Sequence, residues 1–247
     1  MYAQDEARLL VSAAPTPADL AAMVDRRVAG LPLEHVLGWA EFCGLPITVD
    51  PGVFVPRRRT EFLVRQAAAL APSGAVVVDL CCGSGAVGAA VAAALGRVEL
   101  HGVDIDAAAV RCARRNVAAI GGHVYEGDLV EPLPADLRGR VDVLVANAPY
   151  VPSASVELLP AEARLHEPRS ALDGGADGLD VQRRVIAAAP TWLAPGGHVL
   201  TETSERQVPT LLDAISGTGL AARVAVSAEL DVSAVIGTRS GGGASSP

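Results

Sequence analysis

The run "DVLVANAPY" carries an apolar segment into Asn147, Ala148, Pro149 and Tyr150, four residues whose types and order suit a particular chemistry. An amide or aromatic amino nitrogen is a poor nucleophile because its lone pair is delocalised. If the Asn147 side-chain oxygen accepts one N–H of such a group and the Ala148 backbone carbonyl accepts the other, the lone pair is aimed at a methyl sulfonium. That is catalysis by orientation and by stabilising developing positive charge. Pro149 confines Ala148 to extended geometry and so fixes its carbonyl, and the Tyr150 ring is suited to cover a planar group. An isolated tetrapeptide of this kind equally describes an Asn-x-Pro turn beside a core tyrosine, so its surroundings decide.

Those surroundings contain two marks of an adenosine-containing cofactor. "VVVDLCCGSGAVG" places Gly83 and Gly85 where an apolar strand turns into a helix, a turn that lets a ligand approach the backbone and offers it N–H groups. "HGVDID" ends the next strand on Asp104, about 20 residues beyond the glycines, where a carboxylate accepts both hydroxyls of a ribose. Asp106 is the better helix N-cap, which leaves Asp104 for the ligand. "YEGDLVEP" then ends a third strand on Asp128, which is either a surface-turn aspartate or placed to accept from an adenine amino group, with Leu129 against the ring. A dinucleotide and S-adenosylmethionine share these features.

The elements that position these residues alternate from Ala75 onward. "AVVVDL", "VELHGVDI", "HVYEGD", "VDVLVANA" and "GGHVLTET" read as strands, with helices between them and at "ERQVPTLLDAIS", and two further strands at "AARVAVS" and "SAVIGTR". Strands apolar on both faces imply a mostly parallel sheet covered by helices, an α/β fold. Ahead of it, residues 1–30 form a short helical segment broken near Pro15 and Pro17. Residues 31–59 form a β-hairpin connector turning at Gly44, outside the core. Residues 60–240 form the main domain, and 241–247 a disordered tail. The triplet Arg57-Arg58-Arg59 reads as a solvated loop, with an acidic or phosphate-bearing partner as the alternative.

Composition narrows the class. With 247 residues, half of them hydrophobic, the chain is long enough for one large core, which excludes a disordered protein. No apolar run reaches the roughly 20 residues that span a bilayer, and the N-terminus lacks a basic start, so a cytoplasmic protein is expected. Cys43, Cys81, Cys82 and Cys112 lack metal-ligand spacing and are expected as free thiols; no metal is expected. A formal charge of −8 weighs against binding duplex nucleic acid through its backbone.

Taken in order, "PLEHVLGWAEFCGLPITVDPGVFVPRRRTE", "VVDLCCGSGAVG", "VDIDAAAVRCARRN", "GDLVEPL", "VANAPYVP", "HEPRSALDGGADGLDVQRRVI" and "LAPGGHVLTETSERQ" resemble the protein-(glutamine-N5) methyltransferases that modify release factors, most of all their shorter actinobacterial relatives. The resemblance implies a class I methyltransferase fold with a seven-stranded sheet and a reversed last strand. It implies S-adenosylmethionine held by Asp79, Cys81, Cys82, Gly83, Ser84, Gly85, Asp104, Ile105, Asp128, Leu129 and Asn147. It implies a protein substrate with an exposed glutamine, a release factor being the candidate, held by Asn147, Ala148, Pro149 and Tyr150 with Phe54 on the other side. A monomer is expected, with no membrane partner. The family usually has glycine at the position of Cys81, Asn-Pro-Pro-Tyr at the tetrapeptide, "PRPETE" in place of "PRRRTE", and a longer helical region ahead of the connector. Two other readings stay open: a methyltransferase for adenine or guanine amino groups, and a non-catalytic S-adenosylmethionine-binding regulator.

Overall fold

A computed structural model of the chain describes residues 3–241, so the expected tail lies, after its first residue, outside the described part. Two helices come first, α1 (Ala3–Ala13) and α2 (Pro17–Val28). Pro17 stands in the first turn of α2, where a missing N–H costs nothing, and the Thr16 hydroxyl accepts the Asp19 N–H at 3.2 Å. A short α3 (Leu33–Leu37) leads into the antiparallel hairpin of β1 (Trp39–Phe42) and β2 (Leu45–Thr48), which turns at Cys43 and Gly44.

The hairpin is not the peripheral connector that the sequence suggested. Phe42, Ile47, Val49, Val53 and Val55 are buried in the same apolar cluster as α4 (Glu61–Leu70) and the main sheet. A two-stranded ribbon is marginal alone, and burying its apolar face against the main domain is what stabilises it. Asn116 reinforces the contact, its amide accepting the Thr48 N–H at 2.9 Å and donating to the Thr48 carbonyl at 2.8 Å. Leu10, Leu33 and Val36 of the N-terminal helices form a separate small cluster.

The main sheet contains β3 (Val76–Leu80), β4 (Glu99–Asp104), β5 (His123–Glu126), β6 (Val141–Ala146), β7 (Leu193–Thr203), β8 (Ala221–Ser227) and β9 (Val232–Thr238). Its spatial order is β5-β4-β3-β6-β7-β9-β8, parallel from β5 to β7, with β9 antiparallel to both β7 and β8. The seven-stranded class I methyltransferase arrangement with a reversed last strand is therefore present. Successive strand residues point to opposite faces, so Val77, Val143 and Val145 join one core layer with α5 (Ala86–Leu95) and α6 (Ala107–Val117). Val76, Val78, Leu144 and Ala146 join the other, with α8 (Asp180–Trp192) and α9 (Val208–Gly217). Between β6 and α8 the chain makes only short turns and α7 (Ala161–His166). No helix among the described residues is long and apolar enough to cross a membrane.

The strand order reverses between β3 and β6. Open α/β sheets bind ligands at the carboxyl ends of the strands flanking such a reversal. The loops that leave the sheet there are 81–85 and 147–150.

Candidate active site

A cavity of about 310 Å³ opens at the reversal, lined by Cys81 to Ser84 after β3, Asp104 and Ile105 after β4, Asp128 and Leu129 after β5, and Asn147 and Pro149 after β6. Among the residues expected at the cofactor, Asp79 and Gly85 stand behind this wall. Asp79 is buried, and its Oδ2 accepts the Gly88 N–H at 2.8 Å, tying the first turn of α5 to the end of β3. Burial pushes its carboxyl up to about 7, against the opposing pull of that N–H. Gly85 precedes α5 at φ +77°, and a Cβ there would sit 3.1 Å from Ala113 Cβ, so its glycine lets α5 and α6 approach.

Asp104 Oδ2 accepts the Gly83 N–H at 2.8 Å and its Oδ1 accepts the Asp106 N–H at 2.9 Å. Each oxygen keeps a further acceptor site, so the carboxylate holds the loop and retains capacity for a ribose diol. Burial holds it above the usual carboxylate range, those N–H groups opposing. Asp106 is the N-cap of α6, accepting from Ala108 and Ala109. Asp128 is less free than its sequence context suggested: its Oδ2 pairs with Arg184 Nη2 at 2.7 Å, which leaves Oδ1 for a ligand. Leu129 is buried at φ +50° and Cys81 sits at φ +54°, both in the region that favours glycine. Ile105, 63% exposed, forms the lip. All four cysteines are free thiols, and burial raises the Cys81 and Cys82 thiols far above neutrality, which keeps them unreactive. A carboxylate for ribose hydroxyls, an apolar side chain for a base and a glycine-containing turn at a helix start fit S-adenosylmethionine.

A second cavity, of about 280 Å³, is lined by Ala148, Tyr150, Arg59, Glu167 and Glu202 among others, and shares Phe54, Asn147, Pro149 and Ala171 with the first. The tetrapeptide is thus the partition between two chambers. It is braced from behind. Val151 N–H donates to the Leu172 carbonyl at 3.1 Å, Gly174 N–H to the Val151 carbonyl at 2.9 Å, and Gln207 Nε2 to the Tyr150 carbonyl at 3.0 Å. Gly178 permits this close packing, since a Cβ on it would fall 2.3 Å from the Tyr150 carbonyl oxygen. Asn147 Nδ2 donates to Thr60 Oγ1 at 3.4 Å, which leaves Oδ1 as the acceptor end of the amide.

The arginine run departs from the solvated loop expected of it. Arg57 Nη2 donates to both oxygens of Glu167, at 2.6 and 2.5 Å, and its guanidinium lies 4.8 Å from the centre of the Phe54 ring. Arg59 Nε donates to Glu202 Oε1 at 3.2 Å and its Nη2 to the Tyr150 hydroxyl at 2.7 Å. Both carboxylate side chains are 1% exposed. Charges taken out of water need partners: Glu167 follows α7 and Glu202 lies near the end of β7, and residues 57–59 bring an arginine to each. Each of the two aromatic residues flanking Asn147 is therefore backed by an arginine and a buried glutamate. Arg58 and Arg59 are both exposed, and of the three arginines Arg58 alone has no carboxylate partner among the described residues. Thr60, Glu167 and Glu202 escaped the reading of single motifs, although each lies inside a block on which the family resemblance rests.

A family model described as the methyltransferase small domain matches residues 44–177. The release factor glutamine methyltransferase of Geobacter sulfurreducens is 43% identical over 208 residues, covering 82% of this chain and 72% of that protein. The Mycolicibacterium smegmatis protein of the same name is 38% identical over 220 residues, covering 87% and 78%. A solved methyltransferase from Pyrococcus furiosus superposes with a TM-score of 0.60 at 17% identity, over 80% of this chain and 90% of that one, a likeness of fold alone. Two chambers meeting at an Asn-x-Pro-Tyr partition, on a chain with these relatives, place it in the release factor glutamine methyltransferase family of S-adenosylmethionine-dependent enzymes.

Proposed function

We propose that the chain methylates the side-chain amide nitrogen of a glutamine in a bacterial release factor. The observation that carries this reading is the shared wall: Asn147 and Pro149 line both chambers, so a methyl donor in the first and an amide in the second would meet at that wall. The cofactor, when bound, supplies an electrophilic methyl group on a sulfonium. Asn147 Oδ1 and the Ala148 carbonyl then accept the two N–H groups of the glutamine amide and turn its lone pair toward that methyl. Pro149 holds the Ala148 carbonyl in place, while Phe54 and Tyr150 flank the planar amide. No strong base is required, because the nitrogen becomes acidic only as it is alkylated. Tyr150 does not serve as one: burial pushes its phenol up to about 12, with Glu202 adding to the rise.

The test is transfer of labelled methyl from S-adenosylmethionine to an unmethylated bacterial release factor. The expected product is one added methyl, located by fragment mass to a glutamine. Label recovered in nucleic acid, or in no glutamine-containing fragment, would refute the reading.

A further inference from the structure

Glu202 is the penultimate residue of β7, one step beyond the pairing of Ala146 with Thr201, where β6 gives way to Asn147. Its two carboxylate oxygens are unequally used. Oε1 accepts from Arg59 Nε at 3.2 Å and from the Tyr150 hydroxyl at 3.2 Å, whereas Oε2 is buried with no hydrogen-bond partner among the described residues. The backbone there is fixed, since Gln182 Nε2 donates to the Glu202 carbonyl at 2.6 Å. A buried acceptor left unpaired is costly and uncommon in folded proteins, and this one belongs to a residue lining the second chamber. Glu167, the other buried glutamate of that chamber, has both oxygens taken by Arg57, one of them also by the Val55 N–H.

We infer that Glu202 Oε2 is a substrate-reading acceptor: it takes a main-chain N–H of the protein substrate, donated by a residue flanking the target glutamine. This rests on the proposed function, in which Asn147 and Ala148 occupy both N–H groups of the glutamine side chain and leave main-chain N–H groups as the substrate's remaining donors near the partition. Arg59 already offsets the charge of Glu202, so the site suits a neutral N–H rather than a cationic side chain. Arg59 and Tyr150 act as positioning residues that hold Glu202 with Oε2 free.

The experiment compares wild type with Glu202→Gln, a change that keeps shape while replacing one acceptor oxygen with a donor. The substrates are an unmethylated bacterial release factor and peptides spanning its glutamine, with the backbone nitrogen methylated one position at a time. KM for the release factor should rise about 10- to 100-fold in Glu202→Gln, the scale of one hydrogen bond to a charged group, with kcat and S-adenosylmethionine affinity changed less than about threefold. In wild type, N-methylation at one position beside the glutamine should raise KM by the same factor, and the same peptide should cost Glu202→Gln nothing further. The peptide series on wild type needs no variant to fold. Release-factor methylation with an unaltered KM in Glu202→Gln, or a series with no sensitive position, overturns the inference and leaves the function standing. No methylation of any glutamine by wild type overturns both.

Discussion

Asn147 and Thr60 are 87 positions apart in the chain, yet the Asn147 amide donates to the Thr60 hydroxyl across 3.4 Å at the partition between the two chambers. Thr60 is buried and precedes α4, so a rigid element fixes which end of the Asn147 amide is engaged and leaves Oδ1, the oxygen proposed to orient the substrate, as the other end. At that length the bond is weak, and its role is orientation rather than stability.

Thr60→Val removes the acceptor at nearly constant volume and should lower the single-turnover rate about 3- to 10-fold, with Tm changed by less than about 4 °C. Asn147→Ala removes the orienting oxygen itself and should lower kcat about 10²- to 10³-fold with cofactor affinity nearly kept. Rapid-quench measurement on both variants, beside a melting curve, separates the two roles. A stable, cofactor-competent Asn147→Ala protein turning over at the normal rate would remove the mechanism.

Cys81 adopts φ +54° in the turn after β3 that lines the first chamber, a position at which the family resemblance implies glycine. A non-glycine residue in that region costs about 1–2 kcal/mol, and glycine gives back about 0.4–1 kcal/mol through a freer unfolded chain. Cys81→Gly should therefore raise Tm by about 1–4 °C, whereas Cys81→Ala, which keeps the Cβ, should not. Scanning calorimetry of the two variants decides it, and equal melting points would place the strain elsewhere.

Asp79 gives stability a pH dependence. Its folded carboxyl, at about 7, lies above the ordinary aspartate range, so the folded state binds the proton more tightly than the unfolded chain. That contribution is complete below the unfolded value near 4 and is lost as pH rises through about 7, with a slope of about 1.4 kcal/mol per pH unit at most. Asp79→Asn keeps an oxygen for the Gly88 N–H and removes the titration. Urea unfolding between pH 5 and 8 should show wild type losing stability relative to the variant; parallel profiles would mean that Asp79 stays ionised.

The sequence by itself determined what depends on neighbours along the chain. Apolar runs on both strand faces specify a buried parallel sheet, so β3 and β6 were legible. The glycine turn and Asp104 mark the loops that build the first chamber, because turn chemistry and strand ends are local. The tetrapeptide was legible for the same reason, as an amide and a stiffened carbonyl at the end of a strand. Only the tertiary structure decided which distant groups meet. Arg57 finds Glu167 at a separation of 110 residues and Arg59 finds Glu202 at 143, and Asp128 is paired with Arg184. The hairpin's place in the core was equally invisible, since two short amphipathic strands carry no record of the surface they cover. Charges and apolar faces state only that a partner is needed. For Glu202 the strand order, set by packing the whole sheet, supplies that partner by bringing the ends of β6 and β7 side by side, so that Glu202 meets the Tyr150 hydroxyl and Arg59.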